Sequence, residues 1–168
     1  VFYLTNLRPL WVEGRLRRHR GSAIEHHAVG RMSFKERPDL EFCFEAGGAR
    51  NYFHFEVELW FESGRIAVGN GIRTAETSIQ SRRYSGFRDL SADPDFKWDL
   101  GGLAAEQVEM SELSVWFSGG PPPQNSAREA ILSQETIFAF YESAVTNRRI
   151  FFPYRSKKTH PLLSKGKD

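Results

Sequence analysis

The sequence predicts an α+β fold in which a largely antiparallel sheet is packed on one face by one long C-terminal helix. Three observations support this class: short runs of alternating apolar and polar residues over positions 9–117, one later run of helical periodicity, and an aromatic content of 14% in 168 residues. Sequential short strands usually pair with their neighbours, which favours an antiparallel meander. We expect a single domain over residues 1–153 and a basic, flexible tail over 154–168.

The first elements are predicted from short alternating segments. Residues 1–7 are typical of the end of a helix, and because the chain begins without methionine we expect a piece of a longer protein. A rather polar strand is predicted from Trp11 to Arg20. Two more strands occupy 30–35 and 40–45, with a turn at Arg37-Pro38-Asp39 between them.

The clearest strand signal lies between Tyr52 and Glu62, where one face is apolar and the other mixes aromatic and charged side chains. The apolar row is Phe53, Phe55, Val57, Leu59 and Phe61, and the mixed face is Tyr52, His54, Glu56, Glu58, Trp60 and Glu62. Ser63-Gly64 predicts a tight turn into a second strand over 65–68, so the two strands form a hairpin. We expect the C-terminal helix to cover the apolar row because it is the more hydrophobic face.

The strand signal weakens after this hairpin. Thr74–Tyr84 and Val108–Phe117 are further strand candidates, and residues 85–105 are predicted to form a long surface loop because they contain Asp93-Pro94-Asp95 and Gly101-Gly102.

A helix is predicted over Ala127–Thr146 because apolar residues recur at helical spacing. Ser126 with Glu129 is typical of a capping box, and Asn147 of a left-handed C-terminal residue. The predicted buried stripe consists of Ala127, Ala130, Ile131, Gln134, Ile137, Phe138, Tyr141, Ala144 and Val145. A short final strand follows over 150–153.

The charge pattern indicates no particular partner. The net charge is +2, and five lysines or arginines with one aspartate lie between Arg155 and Asp168, so the rest of the chain is close to −2. The other basic run is Arg15, Arg17, Arg18, His19 and Arg20. We expect a solvated strand face there, because nucleic-acid sites interleave aromatic with basic residues and only Trp11 lies nearby. A nucleic-acid partner is therefore not expected.

Cys43 is the only cysteine, so an intramolecular disulfide is excluded and a reducing cytoplasm is favoured. Because it lies within the apolar run 40–44, we expect a buried, inert thiol. No signal peptide and no apolar stretch of about 18 residues are present, so we expect a cytoplasmic protein that does not span a membrane.

The residues alone assign no catalytic, cofactor-binding or metal-binding site. The sequence contains no glycine-rich phosphate loop and no nucleophile elbow, and the adjacent His26 and His27 would face opposite sides of a strand. Glu56 and Glu58 share a strand face at roughly 7 Å and could act as an acid–base pair. Cross-strand pairing of these carboxylates with Arg31, Arg65 or Lys35 is the favoured alternative.

Two segments together resemble the C-terminal domain of the glucose–fructose oxidoreductase / inositol dehydrogenase (Gfo/Idh/MocA) family. Residues 51–71 resemble its strand–turn–strand, and residues 130–153, with Tyr141-Glu-Ser-Ala144, resemble its closing helix and final strand. The order of the segments agrees, and the resemblance covers about residues 9–153. The family usually has glycine where Phe61 stands, so the hairpin turn must be built differently here.

The resemblance implies a domain of an NAD(P)-dependent oxidoreductase acting on a sugar or polyol. Family members carry an N-terminal Rossmann domain and catalytic motifs that this sequence lacks, so hydride chemistry is assigned to no residue here. NAD(P) is expected only in a full-length member, and the missing Rossmann domain is an expected partner.

The family's sheet roofs the substrate pocket and provides a subunit surface. The resemblance therefore implies substrate contacts at Tyr52, Asn70 and Arg73, for which ordinary turn and surface roles are the alternative. It also implies a homo-oligomer interface on the mixed face, at Tyr52, His54, Glu56, Glu58 and Trp60. The alternative is that the chain's own loop over 85–105 covers this face.

Three functions follow from these observations. The leading hypothesis is a substrate-recognition and oligomerisation domain that is not catalytically competent alone. The second is a stand-alone small-molecule-binding β-sheet module. The third is an RNA-associated protein that uses the arginine-rich strand and the basic tail.

Overall fold

The computed structural model describes residues 1–18, 25–48, 52, 54–70, 72–98, 105–123 and 126–155. The elements, in chain order, are α1 (Phe2–Thr5), β1 (Pro9–Arg18), β2 (Glu25–Phe34), β3 (Glu41–Gly47), β4 (Glu56–Phe61), β5 (Gly64–Gly69), β6 (Ile72–Gln80), β7 (Arg88–Ala92), α2 (Ala105–Phe117), α3 (Ala127–Thr146) and β8 (Ile150–Phe151). The α+β class and the antiparallel pairing predicted from the sequence are confirmed. Predictions that involve His19, Arg20, Asn51, Phe53, Gly71, the 99–104 part of the predicted loop and 156–168 lie outside the described residues.

Within the described ranges the strands are divided over two four-stranded sheets, and the chain forms two compact units. One unit is Val1–Ala49 with Leu103–Asp168, and the other is Arg50–Gly102. In the first unit the strand order is β3-β2-β1-β8, so the predicted final strand adds to the edge of β1. α3 packs on this sheet, mainly against β1. The core between them consists of Phe2, Val12, Met32, Phe34, Ala139, Phe140 and Tyr154.

α3 has the predicted limits, but its buried face agrees with the predicted stripe only in part: Phe138 and Tyr141 pack against the core as predicted. Ala139 and Phe140 are buried, whereas Ile131 and Ile137 are 60% and 47% exposed. The cause is a hollow in the first sheet, where two glycines are paired on neighbouring strands and leave space for the Phe140 ring. A helical repeat in the sequence cannot show which of two adjacent stripes meets such a hollow.

The two ends of α3 differ in how well the sequence predicts them. Asn147 ends the helix in the left-handed conformation at φ 52°, as predicted. The predicted capping box is wrong, because the Ser126 side chain makes no capping hydrogen bond. Instead the Ser126 carbonyl accepts the N–H groups of Glu129 and Ala130 at 3.0 and 3.1 Å, which begins the helical hydrogen bonding.

The second unit contains a sheet in the order β4-β5-β6-β7. The predicted hairpin is confirmed, with β4 and β5 paired from Glu56 and Gly69 to Phe61 and Gly64. The sequence predicts that α3 covers the apolar row of β4. α3 packs on β1 instead, and Phe55 and Phe61 are 53% and 56% exposed.

β7 lies inside the segment predicted to be a long loop. Ser81 directly follows β6, and its Oγ accepts the N–H groups of Arg83 and Tyr84 at 3.2 and 3.1 Å. This hydroxyl-stabilised turn reverses the chain, so Arg88–Ala92 pairs antiparallel with β6. A turn held by a serine side chain gives no strong signal in the sequence, which explains the error.

The strand predicted over Val108–Phe117 is wrong, because this segment forms α2. Its first two turns are rich in alanine, glutamate, glutamine and methionine, and these strong helix formers override the partial alternation of apolar residues. α2 is largely exposed, with Met110 at 65% and Phe117 at 80%.

None of the helices in the described residues combines the length and the apolar content needed to cross a membrane.

Candidate functional site

The three predicted substrate contacts lie in the second unit. Tyr52 precedes β4 and is 64% exposed. Asn70 occupies the turn between β5 and β6, where its backbone N–H donates to the Phe55 carbonyl at 2.9 Å. Arg73 lies on β6 and lines a cavity. The roles of all three stay predictions, and the surroundings of Arg73 are the most informative.

The cavity beside Arg73 has a volume of about 250 Å³. It is lined by Arg73, Thr74, Ala75, Glu76, Ala92, Asp93, Phe96 and Trp98. The rings of Phe96 and Trp98 meet edge to face with centroids 4.9 Å apart. Aromatic surface with a few polar groups is typical of small-molecule sites, whose volumes run from roughly 300 to 1,000 Å³. This cavity therefore suits one ring or a short polyol.

Asp93 places the aromatic pair of this cavity. Its N–H donates to the Ala75 carbonyl at 2.9 Å, which extends the pairing with β6 beyond the end of β7. Its Oδ1 accepts the N–H of Asp95 at 3.0 Å, forming a turn that redirects the chain. Sequence reasoning missed Phe96 and Trp98 because it assigned them to a loop. The sequence pattern that could have predicted them is a turn-forming aspartate followed by two aromatic residues at alternate positions.

The mixed face of β4 carries a charge-compensated cluster. Arg65 lies 3.5 Å from Glu58 and 3.6 Å from Glu76, and its guanidinium stacks 5.1 Å from the centre of the Trp60 ring. The Trp60 indole N–H donates to Glu58 at 3.0 Å. The favoured pairing of Glu58 with an arginine is confirmed, so this carboxylate is held in an ion pair.

The other members of the predicted interface lie at the start of this face. His54 Nε2 is 3.8 Å from a Glu56 carboxylate oxygen. Tyr52 and Trp60 are 64% and 63% exposed, so two large aromatic side chains meet solvent on this part of the second unit. Their role in an interface stays a prediction.

A second charged cluster covers the face of the first sheet opposite α3. Glu13 accepts hydrogen bonds from Nε of Arg31 at 2.6 Å and from Nε of Arg149 at 3.0 Å, and Arg31 also binds Glu41 at 3.3 Å. The hydrogen bond from Arg31, followed by that from Arg149, lowers the pKa of Glu13. The Arg149 guanidinium lies 3.7 Å from the centre of the buried Trp11 ring.

Beside this cluster lies a cavity of about 500 Å³, which we call the arginine groove. It is lined by Glu13, Gly14, Arg15, Val29, Gly30, Arg31, Cys43, Ser143, Asn147, Arg148 and Arg149. Ser143 is buried, and its Oγ accepts the N–H of Gly14 at 3.1 Å. The groove thus brings together arginines from two strands and from the segment after α3.

Cys43 is exposed in this groove, so the prediction of a buried thiol is wrong. Phe42 and Phe44 lie on the face of β3 that packs toward the core, and alternation places Cys43 on the opposite face. The sequence already indicated this exposure, because Cys43 alternates with the apolar Phe42 and Phe44 and lies on the same strand face as Glu41 and Glu45.

The described residues do not fit a dinucleotide or a metal ion. A dinucleotide site needs a strand that runs through a glycine-rich turn directly into a helix, and none of the described segments has this arrangement. Within the same segments, no three histidine, cysteine or acidic side chains are grouped as metal ligands.

Comparisons with known proteins identify the fold. No family model and no curated protein matches the sequence. The WlbA dehydrogenase from Bordetella pertussis, solved in complex with NADH and UDP-GlcNAcA, matches 88% of this chain with a TM-score of 0.59 and 14% identity. An aldose-aldose oxidoreductase from Caulobacter crescentus, complexed with glycerol, matches 90% with a TM-score of 0.62 and 14% identity.

The chain spans only 40% and 43% of the lengths of these two structures. Both are oxidoreductases of the Gfo/Idh/MocA family, so the resemblance read from the sequence is confirmed as a shared fold.

Proposed function

We propose that this chain, which shares its fold with part of two oxidoreductases, is the substrate-recognition and oligomerisation domain of an NAD(P)-dependent enzyme acting on a sugar or polyol. The fold match carries this proposal, because about nine-tenths of the chain aligns with only about two-fifths of each neighbour. One neighbour was solved with NADH and the other with glycerol, which are a nicotinamide cofactor and a polyol.

The cavity beside Arg73 supports the substrate-recognition role. The Arg73 guanidinium donates hydrogen bonds and the Asp93 carboxylate accepts them. A sugar hydroxyl can both accept and donate, so the two groups together can bind it. Phe96 and Trp98 offer ring surface against which the C–H face of a sugar packs. In this proposal the side chains bind and orient the substrate and take no part in proton or hydride transfer.

The cofactor would be supplied by a separate Rossmann domain. The described residues offer no strand–turn–helix phosphate site, so this chain alone is not catalytically competent in this proposal. NAD(P) bound to that domain would accept or donate the hydride.

Tryptophan fluorescence tests substrate recognition directly, because Trp98 lines the cavity. We expect saturable quenching by one or more members of a panel of aldoses and glycerol. The variants Arg73→Gln and Trp98→Phe should lose it, whereas Arg82→Gln, an exposed arginine that does not line the cavity, should keep it. Quenching by apolar aromatic ligands instead of sugars would favour the stand-alone binding module, and no dependence on Arg73 or Trp98 would reject the cavity as the site.

Oligomerisation is proposed through the mixed face of β4. A persistent contact would need to bury about 1,200 Å² or more in total. Trp60 and Phe61 provide a matched pair of test positions, because they are adjacent on β4, point to opposite faces, and are 63% and 56% exposed.

Sedimentation of three proteins separates the outcomes. The parent should sediment as a dimer or larger, Trp60→Glu should be monomeric, and Phe61→Glu should behave as the parent. Dissociation by Phe61→Glu alone would place the interface on the apolar face, and a monomeric parent would reject self-association.

A further inference from the structure

The arginine groove has an excess of positive charge that the described contacts do not neutralise. Among the described residues that line it are four arginines and one glutamate. Glu13 is shared by Arg31 and Arg149, and Glu41 adds a second acceptor for Arg31. These two arginines are therefore compensated by two carboxylates.

Arg15 and Arg148 are in a different situation. Both side chains are exposed and line the groove, and neither forms an ion pair or a hydrogen bond with another residue in the part of the chain that the structure describes. A guanidinium presents several N–H donors in a planar fork that matches the two oxygens of a carboxylate or a phosphate. Two exposed guanidinium groups in one cavity can therefore bind an oxyanion by charge and by hydrogen bonds.

The size of the groove also favours a ligand. The volume of about 500 Å³ falls within the range of small-molecule sites, roughly 300 to 1,000 Å³.

We propose that the arginine groove binds a small ligand bearing an oxyanion, a phosphate or a carboxylate, through Arg15 and Arg148. A long polyanion such as RNA is disfavoured, because Glu45 lies on the same sheet face and would repel it. This inference does not rest on the proposed function, since the groove belongs to the first unit and the cavity beside Arg73 to the second.

The groove contains its own reporter. Cys43 is the only cysteine of the chain, is exposed, and lines the groove, so the rate of its alkylation measures access to the site. Iodoacetamide is a suitable reagent because it is small and uncharged, and its approach is therefore insensitive to the surrounding arginines.

The experiment follows alkylation of Cys43 in the full chain while inorganic pyrophosphate or citrate is added at constant ionic strength. Constant ionic strength is needed because salt alone screens exposed charges. A bound ligand should slow alkylation saturably, by about tenfold at ten times its dissociation constant. Pyrophosphate protecting better than citrate indicates a phosphate ligand, and the reverse a carboxylate.

Charge-matched variants decide whether the protection of Cys43 comes from anion binding in the groove. Arg15→Gln and Arg148→Gln should each lose most of the protection, whereas Arg82→Gln changes the net charge equally at an exposed position outside the groove and should keep it. Both groove arginines are exposed, so their variants are expected to fold. The proposal is overturned if neither anion changes the rate, if all three variants respond as the parent does, or if an RNA oligonucleotide protects Cys43 while both small anions fail.

Discussion

The ring of Phe140 on α3 lies directly over Gly14 of β1, and a Cβ on that glycine would overlap the ring. The paired Gly30 is equally constrained, because its Cβ would lie 2.6 Å from the Phe44 ring and 2.8 Å from the Phe140 ring. The helix and the sheet therefore approach closely at one point, where the Phe140 ring occupies the space that side chains at the two glycine positions would fill. This contact fixes which face of α3 is buried.

Replacing Phe140 by alanine should reduce the free energy of unfolding by about 3–5 kcal/mol, because the ring is 6% exposed and its loss leaves a cavity over the two glycines. Ile131→Ala on the same helix is the matched control. Ile131 is 60% exposed, so its replacement should change stability by no more than about 0.5 kcal/mol. Urea unfolding measures both values, and equal losses would show that the assigned face of α3 is wrong.

The variant Gly14→Ala tests the same contact from the sheet side. The added methyl group must displace the Phe140 ring, which should cost about 1–3 kcal/mol. In a Phe140→Leu background the cost should fall, because the smaller side chain leaves space for the methyl group. A double-mutant cycle by urea unfolding measures this coupling. Additive effects of the two changes would contradict the close approach.

Local signals in the sequence predicted several elements well. The Ser63-Gly64 turn between two alternating runs gave the β4–β5 hairpin, and Asn147 gave the end of α3, because each depends only on neighbouring residues. The buried face of α3 depends on Gly14 and Gly30, which are far away in sequence, so periodicity alone could not predict it.

The candidate sites were predicted less completely than the fold. Arg73, whose role stays a prediction, lines the cavity, whereas Phe96 and Trp98 were not predicted to do so, since their position depends on the hydrogen bonds of Asp93. The arginine groove combines a strand with the segment after α3, and this proximity arises only from packing. Cys43 is different, because its alternation with Phe42 and Phe44 already indicated an outward position.

Tyr154→Phe should destabilise the protein by about 1–2 kcal/mol at neutral pH, because the phenol donates a hydrogen bond to the Glu142 carboxylate at 2.9 Å. Burial, and then this hydrogen bond, raises the pKa of Tyr154 to about 12. Because this pKa is higher in the folded state than the unfolded value of 10.0, the protonated phenol stabilises the folded protein fully below pH 10.0. This stabilisation is lost as the pH rises toward about 12.

The stability difference between the parent and Tyr154→Phe should therefore narrow in alkaline solution. Urea unfolding at a series of pH values from neutral to alkaline measures it, and the ultraviolet absorbance of ionised phenol reports the titration. Tyr84→Phe is the control, because Tyr84 is 55% exposed and its phenol is not held in the core. A difference that stays constant with pH would contradict the assignment.

Glu13→Gln should give the opposite pH dependence. The pKa of Glu13 is lowered, mainly by the hydrogen bond from Arg31 and further by Arg149, so the folded state favours the carboxylate. The stabilisation by the Glu13 carboxylate is present above the unfolded pKa of 4.5 and is lost as the pH falls through the lower pKa of the folded state. Because these side chains are partly exposed, the variant should lose no more than about 1 kcal/mol at neutral pH.

Urea unfolding of the parent and of Glu13→Gln should therefore converge as the solution is acidified. Glu62→Gln is the matched control, because Glu62 is exposed in the β4–β5 turn and makes no ion pair with another described residue. High salt should also reduce the Glu13→Gln effect, since exposed ion pairs are screened. A Glu13→Gln difference that grows on acidification would show that the two arginines do not hold the carboxylate in its charged form.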